Sequence, residues 1–388
     1  MCMLCDQALQ VNRRVDGRAL YGLSIAPVEL IDDDNVATTR HLTATDGVLD
    51  YYLHAQGGSV NVSGGGFGEQ KIQSIAIPES DQRYFKSLVR RLDGIIDLDF
   101  RQTDNVLIAD VGLFYDTEID LGGVGTALGL AAINGDDGWE LYLNYPELQN
   151  DKRYRQYALI HEFGHALGLE HPFEVSDGDV FNGNIDPWSS AYPEETVMAY
   201  RSPSLGFWPD FFSDNDLNAL VEVWGAERQF LGDAGSRFVG HAFREIVQGG
   251  IGADQISGAG GFDAIAGGAG DDELRGGRNA DEVRGGSGND RLFGGRGHDT
   301  LIGGRGDDVI RGGFGADRFV YSAGKDLIED FRLGDNDQFE IQVGLAYDLQ
   351  QQGNDLQVIT ALGTTTLLGV HQGLLQNHNW IISDQMVI

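Results

Sequence analysis

Between Gly249 and Val320 the chain repeats itself every nine residues. GGIGADQIS, GAGGFDAIA, GGAGDDELR, GGRNADEVR, GGSGNDRLF, GGRGHDTLI, GGRGDDVIR and GGFGADRFV follow one another in phase. Position six is always aspartate: Asp254, Asp263, Asp272, Asp281, Asp290, Asp299, Asp308 and Asp317. Position eight is always apolar, from Ile256 to Phe319. No nonapeptide can bury its own apolar side chain, so a fixed short period admits only folds in which one unit stacks on the next. Gly-Gly-x-Gly forms a turn closed to most side chains, and the residues after the aspartate form a short strand with one side chain inward. Two copies make one coil, so copies n and n+2 lie above one another. Their aspartates and turn carbonyls line oxygen-rich holes suited to Ca²⁺. Eight copies less two leaves at most six such holes. Ala259 replaces a turn glycine in copy two and Asn279 one in copy four. Asparagine tolerates the left-handed conformation, whereas Ala259 is expected to weaken the neighbouring sites. A disordered Gly/Asp linker is the competing reading, and eight apolar residues in phase weigh against it.

Upstream lies HEFGHALGLEHP, His161 to Pro172. His161 and His165 are four apart and share one helix face, a spacing that can grip one zinc ion. Glu162 falls between them, on the side where a metal-activated water would sit. Gly168 can end the helix in a left-handed turn and bring the chain back to present His171. Pro172 then prevents the helix from continuing. Three nitrogens with an open fourth position make a catalytic zinc site, where a structural one would be closed.

The 388 residues allow two or three domains. With 60 acids against 27 bases the net charge is −33, which argues against nucleic acid or an anionic membrane as a general partner. Only 12 acids and 8 bases fall within 249–320. The acidity therefore belongs mainly to a hydrated surface elsewhere, for which a saline habitat is one reason. No apolar run is long enough to span a membrane. The first thirty residues lack a secretory signal pattern, so a cytosolic location or export by another route is expected. The only cysteines are Cys2 and Cys5; disulfides do not hold the fold, and the pair reads as a mobile tail. Spacing predicts helices at 81–93, 154–169 and 214–224, the last capped by Asp214, and strands at 106–114 and 139–144, with a glycine-rich stretch at 122–129. The layout is a mixed α/β domain followed by an all-β parallel roll.

The string H-E-x-x-H-x-x-G-x-x-H resembles the metzincin signature, and the repeats resemble RTX nonapeptides. Met198 and Tyr200 in ETVMAYR match the methionine turn and tyrosine of serralysin-type metzincins. The resemblance covers roughly residues 80–388. It implies a secreted, extracellular zinc endopeptidase with Glu162 as general base, and with His161, His165, His171 and Tyr200 as zinc ligands. Tyr200 would also stabilise the oxyanion, and Met198 and Gly168 would be structural. FSDNDLNALVEVWGAE resembles the last catalytic helix, and IEDFRLGDNDQFEI the segment closing the roll. WELYLNY resembles the substrate-aligning edge strand, so that Leu141, Tyr142, Leu143 and Asn144 would pair with peptide. The implied cofactors are one Zn²⁺ and up to about six Ca²⁺. The implied partners are protein or peptide substrates, a protein inhibitor and a type I secretion system reading the tail Asp384–Ile388. The implied protein is a monomer that does not insert into membranes. Residues 1–50 match nothing in the family and are read as a propeptide or mobile segment, followed by a protease domain at 51–232 and the roll at 233–388. In such a zymogen Cys2 or Cys5 could ligate the zinc, as in metzincins with a cysteine switch. The alternative from a different class is a non-catalytic, calcium-dependent surface or adhesion protein; the intact Glu162 argues against it, since holding zinc needs only the histidines.

Overall fold

The computed structural model describes residues 2–3, 25–63, 68–117, 128–133, 138–174, 181–183, 185–187, 190–342, 344–377 and 380–383. The chain divides into two compact units, Met1–Gly225 and Ala226–Ile388. The division falls before the expected 232/233 because Arg228–Phe230 already pairs with Ile246–Gln248 as a strand of the second unit.

In the first unit the elements are β1 (Cys2–Met3), α1 (Asp33–Leu42), β2 (Val48–Leu53), β3 (Gly58–Val62), β4 (Gln70–Ile75), α2 (Glu79–Asp93), β5 (Asp99–Thr103), β6 (Val111–Asp116), β7 (Gly129–Ile133), β8 (Trp139–Asn144), α3 (Tyr145–Leu148), α4 (Lys152–Ala166) and α5 (Asp214–Trp224). They share one mixed sheet in the order β1-β7-β8-β6-β2-β5. β8, β6, β2 and β5 run parallel and β7 is antiparallel to β8. The hairpin β3–β4 joins β6 at Ser74 and Ile75.

All of β6 is buried, as befits a strand covered on both faces. Consecutive side chains there point oppositely. Phe114 packs with Val62, Leu130 and Tyr142, while the Tyr115 hydroxyl donates to Asp81 on α2 (3.0 Å). The same carboxylate pairs with buried Arg155 of α4 at 2.6 Å, and Phe85 of α2 meets Phe163 of α4 edge-on at 5.0 Å. The strand expected at 106–114 starts only at Val111; Val106–Ile108 is a 3₁₀ turn in which the Asn105 side chain accepts the Leu107 N–H.

From Ile25 onward the supposed mobile segment is part of the fold, a correction to the reading of 1–50. The Thr39 hydroxyl donates to the Ala166 carbonyl (2.7 Å) and accepts from Trp139 Nε1 (2.9 Å). The Asp32 N–H donates to Gly168 and the Glu170 N–H to Leu30, both at 2.9 Å. β2 itself lies between β5 and β6.

The second unit is the roll. Its strands are β9 (Arg228–Phe230), β10 (Arg237–Val239), β11 (Ile246–Gln248), β12 (Gln255–Ser257), β13 (Ala264–Ala269), β14 (Glu273–Arg278), β15 (Glu282–Ser287), β16 (Arg291–Arg296), β17 (Thr300–Arg305), β18 (Val309–Phe314), β19 (Arg318–Val320), β20 (Lys325–Ile328) and β21 (Gln338–Ile341). Even-numbered strands stack in parallel in one sheet and odd-numbered ones in the other. Residues 18 apart therefore face each other, as Leu274, Leu292 and Ile310 do. Every position-eight side chain is at most 2% exposed, and Val247, Ile328 and Phe339 extend that core at both ends. β24 (Thr364–Leu367) pairs in parallel with β20 and carries β23 (Asp355–Thr360) and β22 (Tyr347–Gln352) as an antiparallel extension, and β25 (Ile381–Ser383) pairs with β21. Ala259 and Asn279 both keep the left-handed turn, at φ 70° and 74°, so the turn shape survives the loss of glycine at a cost in backbone strain.

A histidine cage and an aspartate ladder

α4 begins where Asp151 accepts the Arg153 and Tyr154 N–H groups, each at 3.0 Å. It ends at Gly168, φ 100°. There the Gly168 N–H donates to His165 (3.0 Å) and the Leu169 N–H to Gly164 (2.9 Å), the paired bonds of a Schellman terminus. A side chain at Gly168 would strike Val36 of α1 as well as straining the backbone. The reversed chain brings His171 back over the helix.

His161, His165 and His171 are all buried, and their ligand nitrogens lie within 4.8 Å of one another. Each Nδ1 has its own acceptor: the Val197 carbonyl for His161, the Leu169 carbonyl for His165 and the Glu174 carboxylate for His171, all at 2.8 Å. An imidazole that donates from Nδ1 can offer Nε2 as a ligand, so three Nε2 atoms are turned inward. His161 Nε2 and His171 Nε2 are 3.1 Å apart, and His165 Nε2 is buried without a hydrogen-bond partner. Three converging ring nitrogens at such distances fit a shared cation, and a trio of imidazoles suits zinc. Burial, then mutual repulsion, holds His161 and His165 well below the usual imidazole range, which keeps them neutral and ready to ligate.

Glu162 is fully buried, and the Ala131 backbone on β7 is the one hydrogen-bonding group that acts on its carboxylate among the described residues. Burial pushes its pKa well above the ordinary carboxylate range. Gly129, at the start of β7, leaves room for it; a methyl group there would collide with Glu162 Oε1. Met198 is buried beneath the helix, its sulfur so close that a Cβ at Gly164 would approach it to 2.8 Å. The Tyr200 ring lies 4.7 Å from that of His171 and 5.7 Å from that of His161. Asp216 of α5 clamps the turn from behind: it accepts from Thr196 Oγ1 (2.5 Å) and the Val197 N–H (3.0 Å), and Val197 in turn orients His161. α5 is capped by Ser213, which accepts the Asp216 N–H, rather than by the expected Asp214.

One expected role is overturned. Leu141, Tyr142, Leu143 and Asn144 lie on β8, paired with β6 on one side and β7 on the other, so that no backbone edge is left for a peptide. The outer strand beside Glu162 is β7, and the short strand Cys2–Met3 pairs antiparallel with it, Cys2 opposite Ala131 and Met3 opposite Leu130. Cys5, the tail Asp384–Ile388 and most of the glycine-rich stretch 122–129 lie outside the described residues.

In the roll the aspartates form ladders. The Asp254 N–H donates to Asp272 Oδ1, Asp272 to Asp290 and Asp290 to Asp308; on the other side the ladder runs through Asp263, Asp281, Asp299 and Asp317, all at 2.7–3.0 Å. The second oxygen of Asp263, Asp272, Asp281, Asp290, Asp299 and Asp308 is buried with no hydrogen-bond partner. The first glycine of each copy is required because a Cβ there would collide with that oxygen. Rows of orphaned carboxylate oxygens beside glycine turns fit Ca²⁺. The ladder outruns the eight copies, ending at Asp326 and Asp337. Sequence reading missed Asp326 because its copy, YSAGKDLIE, keeps the phase but opens on Tyr321 and Ser322 instead of two glycines, and Asp337 because 20 residues rather than 18 separate it from Asp317.

The RTX calcium-binding nonapeptide repeat (4 copies) matches residues 239–274, 248–283, 257–292, 266–301 and 293–328. The chain thus carries RTX calcium-binding repeats, set in a parallel roll behind a mixed α/β domain. No curated protein matches it. Among solved structures, the extracellular lipase LipA from Serratia marcescens is similar over 39% of this chain and 40% of its own, at 18% identity and a TM-score of 0.23. The AlgE6R3 subunit of the Azotobacter vinelandii mannuronan C5-epimerase is similar over 39% of this chain and 80% of its own, at 22% identity and a TM-score of 0.16. The chain spans well under half the length of that lipase.

Proposed function

We propose that the first unit is a zinc-dependent endopeptidase of serralysin type, and that calcium folds the roll after export through a type I system, the route typical of RTX proteins. One observation carries the peptidase reading: three inward-facing Nε2 atoms, each fixed by an acceptor on Nδ1, beside a fully buried carboxylate with no charged partner among the described residues. His161, His165 and His171 would hold the ion, with the Tyr200 phenol at its rim. Zinc at such a site supplies Lewis acidity toward water and the peptide carbonyl. Glu162 takes the proton on a carboxylate oxygen and returns it to the leaving amine; its raised pKa makes that exchange easier near neutrality. Tyr200 donates to the oxyanion. The peptide adds as a strand along β7, in the place beside Leu130 and Ala131 that Cys2–Met3 take here. That occupancy supports a latent form relieved by removing the amino-terminal segment.

Glu162→Gln is expected to retain one zinc per chain while turnover of a fluorogenic peptide falls about 10²–10⁴-fold. Near wild-type cleavage by that variant sinks the peptidase reading.

A further inference from the structure

Of the 12 acids in residues 249–320, eight are the ladder aspartates, all buried. The surface of that segment therefore carries eight arginines against Asp271, Glu273, Glu282 and Asp307, in a chain of net charge −33. The arginines are also sorted. Strand register sets Arg275 beside Phe293 and Phe293 beside Arg311, and likewise Arg278, Arg296 and Phe314 in a row across β14, β16 and β18. The Arg275 guanidinium lies 4.4 Å over the Phe293 ring. Arg275, Phe293, Arg311, Phe314 and Arg332 surround a shallow depression of about 370 Å³. The three arginine side chains are each about half exposed, and Phe314 is 70% exposed. Three acids touch the rim: Glu273 at 2.6 Å from Arg275, Asp330 at 3.6 Å from Arg311 and Asp335 at 3.4 Å from Arg332. Asp330 also accepts the Gly312 and Gly313 N–H groups, and its 3.6 Å approach to Arg311 is through Nε, the edge of the guanidinium away from its two terminal nitrogens.

We infer that this face of the roll binds an acidic polysaccharide. Guanidinium forks match carboxylates bidentately, and the phenyl faces suit the C–H faces of pyranose rings. The rows recur at the strand spacing of about 4.8 Å, so they suit a linear partner with one charge per ring laid across the strands. Duplex DNA presents a charge every ~1.7 Å, and the −33 chain repels so dense a polyanion more strongly. A bilayer calls for an apolar face of several side chains, and here Phe314 protrudes alone. The surface exists only when the roll is wound, so binding requires calcium; it does not depend on the peptidase reading.

The test titrates the full chain with a short oligogalacturonate at constant free calcium and follows binding by calorimetry. Binding should weaken with added salt. The double variant Arg275→Gln/Arg311→Gln should bind roughly tenfold more weakly or worse. Arg284→Gln/Arg305→Gln, which removes the same charge from β15 and β17, should bind as wild type. Phe314→Ala should lower affinity without altering the salt slope. Calcium-dependent circular dichroism checks that each variant winds. The inference is overturned by absent binding, by equal binding of neutral dextran or by equal loss in the two double variants. Tighter binding of single-stranded DNA or phosphatidylserine vesicles than of the oligogalacturonate overturns it too.

Discussion

The two units prepare metal-ready groups by opposite means. In the first, the three imidazoles come from eleven consecutive residues, but their geometry is held by distant parts of the chain: Val197 on His161, Asp216 behind Val197, and α1 against the turn at Gly168. In the second, each ladder bond copies the one before it, 18 residues on. The cage is assembled once and fails if one support moves; the ladder is redundant along its length but has no stable form for a single coil. The first unit should therefore keep its shape whether or not a metal occupies the histidine trio, and the second should lose its shape without calcium.

The largest expected effect tests that difference directly. Withdrawing calcium with a chelator should abolish the strand signal of the roll and leave the near-ultraviolet aromatic signal of the first unit in place, because buried unneutralised carboxylates oppose the wound state. Simultaneous loss of both signals breaks the comparison. Next is the ion pair between α2 and α4. Asp81→Ala strands buried Arg155 and should destabilise the first unit by about 3–5 kcal/mol in urea unfolding, with the calcium-loaded roll unchanged.

Acidity offers a sharper probe. Burial pushes Asp263 up to about 8, Asp290, Asp299 and Asp317 up to about 7, and Asp281 and Asp326 up to about 6. A carboxyl that holds its proton more tightly in the folded state stabilises that state at low pH. It loses the contribution as pH rises from the unfolded carboxylate range, about 4, through the raised values. Without calcium the roll should thus be better wound near pH 5 than near pH 8, and calcium should remove the difference. An equal dichroism signal at both pH values without calcium contradicts the ladder geometry. The smallest effect is Ala259→Gly, which relieves a left-handed alanine and should stabilise the calcium-loaded roll by about 1 kcal/mol; no gain would mean that the turn is not strained.

Much of this was legible because it depends on spacing alone. His161, His165, Gly168 and His171 sit on one helix and its end, and the nine-residue period names its own core and carboxylates. What spacing cannot convey is which distant strand lies beside which. Resemblance to the family's substrate-aligning strand places WELYLNY at the edge, yet β7 intervenes, and β7 follows a stretch with little strand signal of its own. Glu174 and Asp216 are ordinary acids until folding sets one against His171 and the other behind Val197. Asp337 was hidden by a two-residue insertion.

The ladder also has a direction. Each N–H is received by a carboxylate farther along the chain, never nearer the amino end. At the far end Asp337 is held by its own loop, through the Arg332 N–H at 2.7 Å. The bonds beside the ladder run the other way: the N–H after each aspartate, as at Glu273, Arg291 and Gln338, donates back to the preceding coil's aspartate carbonyl, and Asn289 and Lys325 donate back to Asp271 and Asp307. Each interior coil is therefore completed by both of its neighbours, so winding should spread outward from whichever coils have already closed, and an interruption in the middle should cost more than one at either end.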